Sequence, residues 1–228
     1  MYFVTGTDTD CGKTFVSAAL LNRAKESGVQ TLGLKPIASG CEETDHGLRN
    51  GDALSLMAES TVKLDYNDVN PVAFEPAIAP HIAASQTGAD ISPASILDRL
   101  SAVLSGRDEK ELCIIEGAGG WRLPLGEGRF LSEVVQQLSV PVILVVGVKL
   151  GCLNHAVLTQ EAIQADGLEI AGWVANIVDG DTACLEENLD SLHSLMSAPC
   201  LGVVPNLQES SVETAAAYLD IGPLKRAR

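Results

Sequence analysis

Six short apolar runs punctuate the chain, and between them apolar positions recur at helical spacing. The runs Tyr2–Thr5, Thr31–Leu34, Leu112–Ile115, Val142–Val146, Ile170–Asn176 and Leu201–Val204 predict strands. The intervening stretches predict helices near 14–27, 52–60, 93–105, 130–138, 154–166 and 181–196, with a last one near 211–219. Such alternation implies an α/β fold: a mostly parallel central sheet, right-handed crossovers and helices on both faces. Val142-Ile143-Leu144-Val145-Val146 is an unbroken apolar run between Pro141 and Gly147, as expected of a central strand buried on both faces. The segment after it, Val148 to Asn154, then emerges at the ligand-binding edge of the sheet. Residues 61–92 are rich in proline and polar residues and give the weakest pattern; they are expected to cover the mouth of a site. No repeat or low-complexity linker intervenes, so one domain over 1–228 is expected.

Composition sharpens this picture. Hydrophobic residues make up 46% and aromatics only 4%, so the core must be built mainly from Val, Ile, Leu and Ala. A formal charge of −15 argues against nucleic acid or an anionic membrane surface as partner. It also makes the few cations informative: Lys13, Lys35 and Lys149 all fall at or just beyond the C-terminal ends of apolar runs. The six cysteines are never closer than 16 residues and form no metal-binding spacing with the four histidines. With no signal peptide and no apolar run of transmembrane length, a cytoplasmic protein with reduced thiols is expected.

The sharpest chemical signal is Gly6-Thr7-Asp8-Thr9-Asp10-Cys11-Gly12-Lys13-Thr14, between the first strand and the helical stretch that opens at Phe15. A glycine-bearing turn closing in Gly-Lys-Thr cradles phosphates with its backbone N–H groups. Lys13 reaches the β/γ-phosphates and the Thr14 hydroxyl can ligate Mg²⁺. Five residues rather than four separate Gly6 and Gly12, so this is a phosphate loop of a less common type. Cys11 is read as its small apolar filler.

Other residues gather at the same predicted edge. Pro36 stops the second strand at Lys35; if that strand neighbours the first, Lys35 stands close to Lys13, an arrangement that needs an anion between the two ammonium groups. Glu116, in Glu116-Gly117-Ala118-Gly119-Gly120, ends a buried run where such enzymes place an acidic residue for Mg²⁺. Asp52 opens a helix, where the ordinary role of Asp is the N-cap and metal binding is the alternative. Asn176, at a strand end, can offer its amide to a base edge. The acidic residues around 42–45 and 186–190 are read as a solvated face.

Taken together the chain resembles the dethiobiotin synthetases. The likeness rests on GTDTDCGKT (6–14), KPIASG (35–40), NGDA (50–53), VNPVAFEPAIAPH (69–81), EGAGGWRLPL (116–125), PVILVVGVKLGCLNH (141–155) and GWVAN (172–176). The resemblance implies ATP-dependent conversion of 7,8-diaminopelargonate and CO₂ into dethiobiotin through an N-carbamate and a carbamic–phosphoric anhydride. It implies Thr9 to Phe15 and Glu116 to Gly119 around ATP, with Asn176 and Pro205, Asn206 and Leu207 at the adenine. Thr14, Asp52 and Glu116 would attend Mg²⁺, and Lys13 and Lys35 would be catalytic. Lys35 and Ser39 would hold the substrate, joined by Gly151, Cys152 and Asn154 across a homodimer interface. Asp10 stands where some members of that family carry glutamate, and Cys11 where valine is common. The competing reading is a switch ATPase of the partitioning type, against which Thr7 and Asp8 stand where those proteins place a lysine.

Overall fold

The computed structural model describes residues 1–107, 111–207 and 211–225. Its main sheet contains β1 (Tyr2–Gly6), β2 (Thr31–Leu34), β3 (Leu112–Gly120), β4 (Val142–Val148), β5 (Ile170–Ile177) and β6 (Cys200–Val204). They lie in the order β6-β5-β4-β1-β3-β2 and every neighbouring pair is parallel. All seven residues of β4 are buried, between β1 and β5, as the apolar run requires.

Side-chain alternation along the strands divides the core into two layers. Phe3, Leu144, Val146 and Trp173 meet the helices Pro93–Leu104, Ser132–Leu138, Cys152–Ala165 and Leu185–Leu195 on one face. Val4, Ile143, Val145 and Val174 meet Lys13–Glu26 and Val212–Ala216 on the other. Gly33 lets two helices close over β2: a Cβ there would lie 2.7 Å from Leu56 Cβ and 2.9 Å from Leu21 Cδ1.

The strand order fixes the ligand edge. From β1 the chain crosses to β2 on one side, returns through β3, and then crosses to β4 on the other side of β1. Loops diverge at that reversal, and the turn after β1 opens into the crevice they leave.

Three stretches differ from the periodic pattern. Strand β3 runs through Glu116 to Gly120, because after a register shift Gly120 pairs with Gly6. Glu116 is therefore inside a strand rather than at its end. The helix expected from 130 starts at Ser132, since Arg129–Phe130 pairs with Pro124–Gly126 in a hairpin. Residues 61–92 contain two helices, Tyr66–Val69 and Pro80–Thr87, and the strand Val72–Phe74 paired with Ile37–Ser39. Short elements broken by prolines leave too few turns for periodicity to register. The hairpin strand Glu42–Thr44 is exposed throughout, as expected of a solvated acidic face. Among the described residues all six cysteines are free, and no helix is long and apolar enough to cross a membrane.

Candidate active site

The turn after β1 is shaped by backbone geometry. Asp10 (φ 59°) and Gly12 (φ 83°) both adopt the left-handed region, bringing the chain into the helix Lys13–Glu26. Gly12 is required twice over, because a Cβ there would also lie 2.1 Å from Asn176 Nδ2. That amide donates to the Cys11 carbonyl at 3.0 Å, so Asn176 braces the loop from the end of β5. Cys11 is buried where Gly6 and Gly147 carry no side chain; a Cβ on Gly6 would lie 2.2 Å from its sulfur. Lys13 is 7% exposed and its ammonium donates to the Asp8 carbonyl at 3.1 Å, folded back over the turn. Lys149, leaving β4, lies 3.4 Å from Asp8 Oδ2. The Thr9 backbone N–H is the main reason the Asp8 carboxyl sits below the usual carboxylate range.

Across the cleft, Lys35 leaves β2 with its ammonium 2.6 Å from Glu116 Oε1 and 2.8 Å from Asp52 Oδ2. It also donates to the Gly117 carbonyl at 3.1 Å, while Thr14 Oγ1 donates to the same Glu116 oxygen at 2.7 Å. Lys35 is 3% exposed and Glu116 fully buried. Burial alone would depress the Lys35 pKa, but Glu116 and Asp52 outweigh it and raise the pKa above the ordinary lysine value. Burial likewise opposes ionisation of Asp52, and the Lys35 charge overcomes it and lowers that pKa. The strands that Lys13 and Lys35 follow are separated by β3 rather than paired, and Lys35 finds its counter-anions in the protein's own carboxylates. Asp52 is free for this because the N-cap of its helix is Asn50, whose Oδ1 accepts from the N–H groups of Asp52 and Ala53.

Among the described residues, the buried side-chain atoms that lack a hydrogen-bond partner include two of the expected site residues: the second Glu116 oxygen, Oε2, and Ser39 Oγ. Buried polar atoms without partners are uncommon in folded proteins, and a bound ligand is one way to satisfy them. The cleft measures about 860 Å³. Thr9, Asp10, Gly12, Lys13, Thr14 and Phe15 form one wall. Lys35, Ser39, Asp52, Ala118 and Gly119 also line the cleft, together with Ala77 to Pro80 of the proline-rich segment.

Other expected residues lie outside that cleft. Asn176 and Pro205 to Leu207 stand at the ends of β5 and β6, where Asn206 Nδ2 donates to the Val178 carbonyl at 3.2 Å. Gly151 (φ 94°) opens the helix Cys152–Ala165; Cys152 is buried and Asn154 exposed. The pattern gave no sign of Trp121 and Arg122, which both hydrogen-bond Asp166 just beyond the Glu116–Gly120 stretch. Their partner is 44 or more residues away, which no local spacing encodes.

A family model described as an AAA domain matches residues 1–214. The ATP-dependent dethiobiotin synthetase BioD of Pseudomonas paraeruginosa is 53% identical over 223 residues, covering 98% of this chain and 97% of that protein. The protein of the same name from Cellvibrio japonicus is 53% identical, covering 98% and 96%. The one from Aeromonas salmonicida is 48% identical, covering 98% of each. Among solved structures, the ParA family ATPase of Chlorobium tepidum superposes with a TM-score of 0.52 at 14% identity, covering 97% of this chain and 91% of that one. That likeness shows the phosphate-loop fold alone. Sharing about half its residues with such relatives over nearly its full length, the chain belongs to the dethiobiotin synthetase family.

Proposed function

We propose that the chain, working as one domain, uses ATP to carboxylate 7,8-diaminopelargonate and close its ureido ring, giving dethiobiotin, ADP and phosphate. The observation that carries this reading is the buried Lys35 ammonium, held by Glu116 and Asp52 across a cleft from the phosphate loop. A carbamate and a terminal phosphoryl group are both anionic, and their encounter needs fixed positive charge in a site that excludes water.

In this reading the loop amides and Lys13 bind the phosphates and hold the γ-phosphoryl group in line. Lys35 places its ammonium against the substrate carbamate, and Ser39 Oγ donates to the same end of the substrate. Adenine lies toward the ends of β5 and β6, against Asn176 and Pro205 to Leu207. Positioning and charge neutralisation are what this reaction asks of a protein, since the bond changes occur between its substrates.

The residues suit Mg²⁺. Glu116 Oε2 is an unpartnered buried carboxylate oxygen, with Thr14 and Asp52 supplying further hard oxygens nearby. Among the described residues no cluster of three or more His, Cys, Asp or Glu forms a metal cage. Two carboxylates and a hydroxyl fit a metal that takes its remaining ligands from phosphate and water. When bound, Mg²⁺ supplies neutralisation of phosphate charge.

Leu150 is 96% and Leu158 56% exposed, flanking Gly151, Cys152 and Asn154. This apolar surface supports a homodimer in which that segment of a second copy completes the substrate site. Six free cysteines suit a reducing cytoplasm. ADP release tests the whole reading: it should require diaminopelargonate and bicarbonate together. ADP release at the same rate without them would overturn it.

A further inference from the structure

Lys35 and Asp52 come from different elements, yet their side chains meet at 2.8 Å. Besides the direct packing of the Asp52 helix on β2 at Gly33, a chain of hydrogen bonds through the proline-rich segment links the two backbones. The Lys35 carbonyl accepts from Asn70 Nδ2 at 2.7 Å, and the Lys35 N–H donates to the Val69 carbonyl at 2.9 Å. Asn70 Oδ1 accepts from the Tyr66 hydroxyl at 2.9 Å. The Tyr66 oxygen in turn accepts from the backbone N–H of Asn50 at 2.7 Å. Asn50 then returns to the site, because its Oδ1 caps the helix at Asp52. The circuit closes where Asp52 meets the Lys35 ammonium.

We infer that Tyr66 and Asn70 are positioning residues for the reaction, setting the separation of the Lys35 ammonium and the Asp52 carboxylate. The side-chain links from Asn70 to Tyr66 and from Tyr66 to Asn50 both run through the one hydroxyl, beside a backbone bond from the Asn70 N–H to the Tyr66 carbonyl. Asn70 and Asn50 are 2% and 6% exposed, so a link lost at either asparagine is costly to replace. Asn70 uses both ends of its amide, its nitrogen reaching the carbonyls of Lys35 and Val72 and its oxygen receiving the Tyr66 proton. That division fixes which way the amide faces. Tyr66 is held independently by Arg49, whose guanidinium lies 4.1 Å from the ring centroid, so the ring stays when the hydroxyl is removed. A shift of a fraction of an ångström at Lys35 suffices to misplace the charge facing the carbamate. The inference rests on the roles given to Lys35 and Asp52 above.

Tyr66→Phe, Asn70→Ala and their double variant test it, assayed as full-length enzyme beside Lys35→Ala and Arg49→Met. Tyr66→Phe should lower kcat roughly 5- to 20-fold with the KM for ATP within about twofold of the parent. The double variant should be no worse than Asn70→Ala, because both break one circuit. Arg49→Met removes the ring contact and not the hydrogen bonds; its kcat should stay at the parent value even if its melting temperature drops. The inference is overturned if folded Tyr66→Phe keeps its kcat, if the two losses multiply, or if Arg49→Met lowers kcat as much as Tyr66→Phe. Unchanged turnover in Lys35→Ala would instead overturn the reading of the site itself.

Discussion

The Lys35 ammonium and Glu116 Oε1, 2.6 Å apart, form an ion pair almost wholly withdrawn from solvent. Burying both charges is expensive, and the pair persists because Asp52, Thr14 and the Gly117 carbonyl share the load. Removing Glu116 leaves the buried Lys35 ammonium only the partly exposed Asp52 carboxylate and the Gly117 carbonyl. Glu116→Ala should therefore cost about 3–5 kcal/mol of stability, the range for breaking a buried pair. Urea unfolding followed by circular dichroism measures this, and a loss below about 1 kcal/mol would mean that water enters the site readily.

Gly12 and Asn176 give a ranked prediction. Gly12→Ala forces a side chain into a left-handed conformation and against the Asn176 amide. Within the protein itself, Asn176→Ala removes the hydrogen bond to the Cys11 carbonyl without forcing a new side chain into the loop. The second should weaken ATP binding about 2- to 10-fold, matching a net hydrogen bond of about 0.5–1.5 kcal/mol. Gly12→Ala should be worse than that. Calorimetric titration with a non-hydrolysable ATP analogue would show the order, and a reversed ranking would contradict the bracing role of Asn176.

Thr14→Val keeps the shape of the side chain and deletes its hydroxyl. If that oxygen serves Mg²⁺ as well as Glu116, the Mg²⁺ concentration for half-maximal turnover should rise roughly tenfold, a loss of about 1.4 kcal/mol. An unchanged Mg²⁺ requirement would confine Thr14 to holding Glu116.

Cys113, buried in β3, has its thiol pKa pushed up to about 12, chiefly by burial. Its unfolded value is lower, so between pH 9 and 12 the unfolded chain releases this proton while the folded one retains it. This group's contribution is therefore fully present below pH 9 and is lost as pH rises toward 12, by roughly 2–3 kcal/mol at pH 11. Cys113→Ala should flatten the decline of stability over that interval. An identical slope in the two proteins would show the thiolate to be tolerated inside.

Much of this was legible in the chain. Apolar runs located all six strands of the main sheet, and the Gly-Lys-Thr motif marked the strand-to-helix turn proposed to bind phosphate, because both signals are local. Asp52 shows the limit: its sequence position suits an N-cap, yet Asn50 takes that role and releases it to Lys35. Glu116 looked like the end of a strand because apolar periodicity stops at Ile115, whereas pairing with β1 carries the strand on to Gly120. Tyr66 gave no signal and Asn70 figured only as part of the 69–81 motif, since their partners Asn50 and Lys35 lie 16 and 35 residues away and only folding brings them together.

The central claim is that Lys35 provides charge for the encounter of carbamate and phosphoryl group, while the phosphate loop binds ATP without it. Lys35→Ala, with ATP affinity and single-turnover ADP formation measured on one preparation, separates the two functions. Affinity within about threefold of the parent and turnover slowed by about 2–4 kcal/mol, some 30- to 1,000-fold, is the expected result. Full-speed turnover in a folded Lys35→Ala protein would contradict it.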